Sequence, residues 1–236
     1  MCAVAVGPEI EVLHADMPRG RFRSALFDFD GTLSLIREGW PQVMVPMMVE
    51  VLLQTGTAET EAELHRLVEA FVMRLTGRQT IYQMIHLAEE VRKRGGQPLD
   101  PVAYKHRYHE LLMRRVQGRI ADLEAGRAQP AEWTVPGSHE LLDGLRRRGV
   151  VPFLASGTDL HFVRHEARML GVDQYFGEHI YGALDDYRNF SKRLIVERIL
   201  ADHGLRGDEL LGFGDGYVEI EEIKKVGGVA VAVASD

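Results

Sequence analysis

Two aspartates separated by one phenylalanine, Asp28-Phe29-Asp30, close an apolar run that starts at Ala25 and leads into Gly31. Carboxylates set beside Phe27 and Phe29 are costly to bury unless positive charge meets them. A second apolar run, Leu210 to Phe213, ends in Gly214-Asp215, with Glu219 four residues beyond, and a third, Val150 to Ala155, ends in Ser156-Gly157. Three carboxylates in one crevice would drive one another toward protonation unless a cation is bound there. An all-oxygen set without a His or Cys cluster suits Mg²⁺, which keeps several waters and accepts a substrate phosphate in its shell. Lys192, ahead of the Asp215 run, would add a second positive charge at the same edge.

These residues share an edge only if the elements carrying them do. Ala25–Phe29 reads as a buried strand running into a loop. From about Glu38 to Glu124 the texture becomes helical: Val43, Met47, Val51 and Leu52 share one face, Leu64, Leu67, Val68, Phe71, Val72 and Leu75 another, and Ile81, Met84, Ile85 and Ala88 a third, with a further helix from about Pro101 to Leu123. Gly77 and Gly95-Gly96-Gln97-Pro98 punctuate this four-helix unit. After Pro130, helices near 137–148, 160–170, 191–203 and 220–225 alternate with strands near 150–155, 179–182, 209–213 and 229–234. Strands alternating with helices predict an α/β fold, a Rossmann-like doubly wound parallel sheet, interrupted by the helical block. The expected division is a core of residues 1–36 and 130–236 and a helical insertion of residues 37–129. A weak strand at Ile10–His14, turned at Pro18 and Gly20, stands apart. In such a sheet ligands sit beyond the carboxyl ends of the strands, where Asp28, Asp30, Ser156 and Asp215 all fall.

Composition narrows the classes. A chain of 236 residues with 45% hydrophobic residues can pack a sizeable core, and its net charge of −7 offers no broad positive face to nucleic acid or an anionic membrane. Met1 to Val6 is short and lacks a basic flank, so no signal peptide is expected, nor does any run reach bilayer-spanning length. A single cysteine, Cys2, allows no internal disulfide and points to a reducing cytoplasm. The sequence leaves monomer and dimer both open, although a last strand near the C-terminus is expected at a sheet edge. The ten histidines are scattered; His161 and His165, one turn apart, read as solvated. Met44, Met47, Met48, Met73 and Met84 read as core.

Taken alone, Asp-x-Asp-Gly also suits a solvated turn, but an EF-hand is excluded, since its glycine belongs at the sixth loop position and an acid at the twelfth. The motifs in order, an apolar strand ending Asp28-Phe29-Asp30-Gly31-Thr32, Ser156 in FLASGT, Lys192 in NFSKRLIVERIL, and Gly214-Asp215 followed by Glu219, resemble the haloacid dehalogenase superfamily, in its phosphatase branch with a helical cap inserted after the first strand. The resemblance covers nearly the whole chain. It implies an Mg²⁺-dependent phosphomonoester hydrolase: Asp28 the nucleophile, Asp30 the general acid and base, Ser156, Gly157 and Lys192 on the phosphate, and Mg²⁺ held by Asp28, the Asp30 carbonyl and Asp215, with Glu219 on a metal-bound water. Dehalogenases lack the second aspartate and phosphonate hydrolases replace it, so Asp30 argues against both; a phosphomutase or a non-catalytic phosphate binder are the alternatives. The expected partner is a small phosphorylated molecule, a sugar phosphate or one carried on a larger organic group. The cap must supply specificity, and Arg78, Gln79, Arg37, Glu38 and Trp40, at breaks in the helical block, are the residues expected to reach the leaving group.

Overall fold

Every residue from Ser24 to Phe27 is buried, so this strand must be covered on both faces, as inside a parallel sheet. The computed structural model describes residues 4–7, 10–13, 22–183 and 191–234. A separate antiparallel hairpin joins β1 (Val4–Gly7) and β2 (Ile10–Val12); the turn expected at Pro18 and Gly20 lies outside the described residues. The main sheet contains β3 (Ser24–Phe27), β4 (Val151–Asp159), β5 (Ile180–Ala183), β6 (Leu210–Gly214) and β7 (Val229–Ala232). Its order is β5-β4-β3-β6-β7, with every pair parallel. The strand order therefore reverses between β3 and β6, and the crevice beyond their carboxyl ends is where such sheets bind ligands.

Between β3 and the next helix of the sheet layer the chain makes α1 (Pro41–Leu53), α2 (Glu61–Arg74), α3 (Thr80–Lys93) and α4 (Pro101–Glu124). Sequence chemistry sets their starts: Thr60 and Glu63 form a reciprocal capping box at α2, and Asp100 accepts a hydrogen bond from the Val102 N–H with Pro101 in the first turn of α4. The four helices close around a core of their own that includes Met44, Met48, Leu64, Phe71, Met84, Leu87, Tyr104 and Leu112. Each such side chain contributes about 1.5–3 kcal/mol on burial. Met73 departs from expectation. It is 54% exposed, because the buried stripe of α2 runs through Leu64, Val68, Phe71 and Val72 and the next residue turns about 100° away from it.

The strands feed two further cores by alternation. Ala25, Phe27 and Leu154 pack with α5 (Ser138–Arg147), α6 (Leu160–Met169) and α7 (Asp173–Phe176), whereas Leu26, Phe153 and Ala155 pack with α8 (Lys192–Asp202) and α9 (Tyr217–Lys225). Phe27 stacks on Phe213 with ring centroids 4.5 Å apart and meets the edge of Phe176 at 6.0 Å. The single turn α7 is too short to register as helical periodicity. Strand β4 runs four residues past its expected end, with a register irregularity against β5 between Ala155 and Asp159. Among the described helices none is long and apolar enough to cross a membrane.

Candidate active site

Phe27 sits in register with Leu154 on one side and Phe213 on the other. Asp28 and Asp215 therefore follow β3 and β6 directly, and Ser156, still within β4, stands at nearly the same level. The Asp28 N–H is tied to the Phe213 carbonyl at 2.9 Å, and the turn after it is closed by Leu33 and Ser34 N–H groups on the Phe29 carbonyl, each at 2.9 Å. Gly31 has φ +77° and faces Asp215, so a methyl group there would both strain the backbone and collide with the carboxylate.

The two opening aspartates meet different neighbours. Lys192, buried at the first turn of α8, donates from Nζ to Asp28 Oδ1 at 2.6 Å and to Glu219 Oε1. Burial pushes the Asp28 carboxyl well above the usual range, against the pull of Lys192 and with the repulsion of Glu219 and Asp215. Although burial opposes it, the paired charges of Asp28 and Glu219 raise Lys192 and keep it protonated. Asp30 instead accepts from Thr158 Oγ1 at 2.8 Å and from Ser156 Oγ at 3.5 Å, both on Oδ2. The Thr158 N–H in turn donates to Ser156 Oγ at 3.0 Å, which fixes the Ser-Gly-Thr arch. Asp30 Oδ1 is buried with no hydrogen-bond partner among the described residues, and the Arg37 guanidinium lies 3.8 Å from it. Burial raises the Asp30 carboxyl as well, with Arg37 opposing the rise.

Asp215 stands at the mouth with an accessible side, and its carboxyl is pushed up to about 6 by partial burial and by the repulsion of Glu219. Asp28 and Glu219 thus pair with Lys192, whose charge also acts on Asp215. Among the described residues no cluster of three or more His, Cys, Asp or Glu side chains is built as a self-sufficient metal centre. The donor set here is sparser and harder: two carboxylates, the Asp30 carbonyl, and a Glu219 Oε2 that is buried without a hydrogen-bond partner among the described residues. Excess negative charge and oxygen-only donors fit a hard divalent cation that keeps waters of its own.

Above these groups lies a cavity of about 90 Å³ between the sheet edge and the helical insertion. Asp28, Asp30, Ser156, Gly157, Lys192 and Asp215 form its floor, and the insertion closes it with Trp40, Met44, Arg78, Gln83, Tyr108 and Leu112. Contact is close where the α2–α3 turn meets the sheet edge: a methyl group at Gly77 would strike Glu219, and one at Gly157 would strike the Arg78 carbonyl. Of the residues expected at the leaving group, Trp40 and Arg78 line the cavity, Gln79 is buried and lines a side recess of about 190 Å³, and Glu38 lines an adjoining groove of about 570 Å³. Arg37 lines the cavity but is committed to Glu166 by three hydrogen bonds of 2.6–3.1 Å. Thr158, Gln83, Tyr108 and Glu166 escape sequence reasoning. Thr158 stands two residues from Ser156, and Glu166 interrupts the apolar stripe of Val163 and Ala167 on α6 that continues into Leu170 just beyond it, which is a readable sign of a buried acid. His161 and His165 are exposed, and His165 lies 3.1 Å from Glu124.

Known proteins share this arrangement at the level of fold. A predicted phosphoglycolate phosphatase from Haemophilus somnus is 16% identical over 91% of this chain and 86% of its own, with a TM-score of 0.58. A HAD hydrolase of family IA, variant 3, from Entamoeba histolytica is 17% identical over 91% and 85%, with a TM-score of 0.60. A β-phosphoglucomutase from Clostridium difficile is 12% identical over 89% and 84%, also at 0.60. No curated protein matches in sequence. The family model for haloacid dehalogenase-like hydrolases matches residues 22–227, from the strand that ends at the paired aspartates to the glycine before the last strand, and the chain belongs to that family.

Proposed function

We propose that this protein is a phosphomonoester hydrolase that works through an aspartyl-phosphate on Asp28. The observation that carries the reading is the division of labour between the two aspartates: Asp28 is pinned by a buried lysine, and Asp30 is held by hydroxyls on the other side of the cavity floor. Asp28 attacks phosphorus, the bond to the leaving oxygen breaks, and Asp30 delivers a proton to that oxygen. Asp30 then takes a proton from the water that attacks the phosphorus of the acyl phosphate, which frees Asp28 and inorganic phosphate. Ser156, the Gly157 backbone and Lys192 hold the phosphoryl oxygens. Mg²⁺ would be held by Asp28, the Asp30 carbonyl and Asp215, with Glu219 in its outer shell, and would offset the repulsion between carboxylate and phosphate. Residues 37–129 act as the cap, excluding water and contacting the leaving group, over a core of residues 1–36 and 130–236.

A small phosphorylated metabolite suits the cavity, and a sugar phosphate or a phosphate on a larger group would extend into the adjoining recesses; Arg78 is shared between the cavity and the smaller of these. The single cysteine favours a reducing cytoplasm as the compartment. A second reading, a phosphomutase, draws on the fold likeness to β-phosphoglucomutase. The test is release of inorganic phosphate from 4-nitrophenyl phosphate and a panel of sugar phosphates, with Mg²⁺ and with chelator. Release that falls to background with chelator is the expected result; release indifferent to chelator contradicts the metal, and phosphate moved to another carbon without release supports the mutase. Because metal and proton compete for a carboxylate, the thermal stabilisation by Mg²⁺ is expected to shrink as pH falls below about 6, where Asp215 takes up its proton. A shift that is constant from pH 7 to pH 5 would remove Asp215 from the site.

A further inference from the structure

Arg37 and Glu166 are 129 positions apart in sequence, on the exit from β3 and on α6, yet their side chains are 7% and 1% exposed and share three hydrogen bonds. A buried ion pair is a poor device for stability, because apolar residues of similar volume often do as well or better. Its position suggests another use. Glu166 does not reach the cavity; both its oxygens are spent on Arg37, whose guanidinium also lies 5.4 Å from the Phe162 ring centroid. Arg37, so held, stands 3.8 Å from Asp30 Oδ1, the oxygen that has no hydrogen bond among the described residues. On the opposite side Thr158 and Ser156 hold Oδ2. The Asp30 carboxylate is thereby clamped between two hydroxyls and one fixed cation, with neither rotation about its last bond nor withdrawal from the cavity left free.

We propose that the Arg37–Glu166 pair is a positioning device that aims Asp30 Oδ1 at the leaving-group oxygen, a proposal that rests on the acid/base reading of Asp30. Arg37 acts through Asp30, so its loss is felt in proportion to how much the leaving group needs a proton. Phenyl phosphate and 4-nitrophenyl phosphate have nearly the same shape but differ in this need, since the nitrophenolate departs readily without protonation.

The experiment compares kcat/KM, which reports the phosphoryl transfer that expels the leaving group, and KM separately, on these two substrates for wild type, Asp30→Asn, the double variant Arg37→Met/Glu166→Met, and the triple combination. The double variant removes both charges together, so neither is left buried alone. It is expected to lower the phenyl-to-nitrophenyl ratio by about tenfold or more, part of the roughly 10²–10⁴-fold that a placed general acid supplies, and to add nothing to the ratio once Asp30 is Asn. An unchanged ratio in the double variant, or a KM raised equally for both substrates, overturns the proposal, the latter making Arg37 a substrate contact. If Asp30→Asn itself leaves the ratio unchanged, it is the acid/base reading that fails. A crystal structure of the double variant reads the same claim without turnover: Asp30 turned out of its bond to Thr158 is expected, and an unmoved carboxylate is the contrary result.

Discussion

Asp28→Asn is expected to reduce phosphate release by at least about 10⁴-fold, because an amide cannot form the acyl phosphate and removal of a nucleophile from a concerted site abolishes most of the rate. The same substitution is expected to leave the metal-free fold at least as stable. Asp28 is a buried carboxyl held above its usual range, crowded by Glu219 and Asp215, and a neutral side chain of the same shape relieves that crowding while Lys192 keeps Glu219 as a partner. The two effects have opposite signs, which makes the variant informative. A thermal melt and a phosphate assay on one preparation check both, and retained turnover in a folded Asn variant would remove Asp28 from the chemistry.

Lys192→Met is the second large effect, and here stability and activity fall together. Among the described residues the lysine is the one cation that touches both Asp28 and Glu219, and breaking a buried pair by removing one partner costs about 3–5 kcal/mol. The rate is expected to drop by about 10²–10³, the range for one lost donor to developing charge. Urea denaturation at pH 7 without added metal measures the first and steady-state kinetics the second. Adding Glu219→Gln should return part of the stability and none of the rate. A single variant that loses less than about 1 kcal/mol would mean that solvent, rather than Lys192, meets these carboxylates.

The sheet and the helical block were legible because each rests on local pattern. Fully apolar runs of four to six residues mark strands covered on both faces, and the i, i+3, i+4 stripes of α1–α4 mark helices that close on one another. The residues on the cavity floor were legible for a related reason. Asp28, Ser156 and Asp215 are the polar residues that follow apolar runs, and a parallel sheet brings the ends of such runs to one edge; the register of Phe27 with Leu154 and Phe213 completes that inference. What lay beyond local pattern was anything decided by helix placement over the sheet. Tyr108 and Gln83 line the cavity from helix faces whose periodicity says only that they are inward. Arg37 looked like a polar residue at a chain exit. Only the packing of α6 against the start of the insertion turns it toward Glu166, and no spacing in sequence encodes a pair that distant. Met73 shows the opposite limit, since an apolar residue type alone does not place a side chain on the buried stripe.

The central claim is a covalent intermediate on Asp28, and it can be read chemically. Wild-type protein turning over 4-nitrophenyl phosphate with Mg²⁺ is quenched with borohydride, which reduces an acyl phosphate to an alcohol, and the peptides containing Ala25–Asp30 and Asp215 are analysed by mass spectrometry. The account predicts homoserine at position 28, dependent on substrate and on Mg²⁺, and unreduced aspartate at positions 30 and 215. Reduction at another carboxylate, or full turnover with position 28 unreduced throughout, would contradict it.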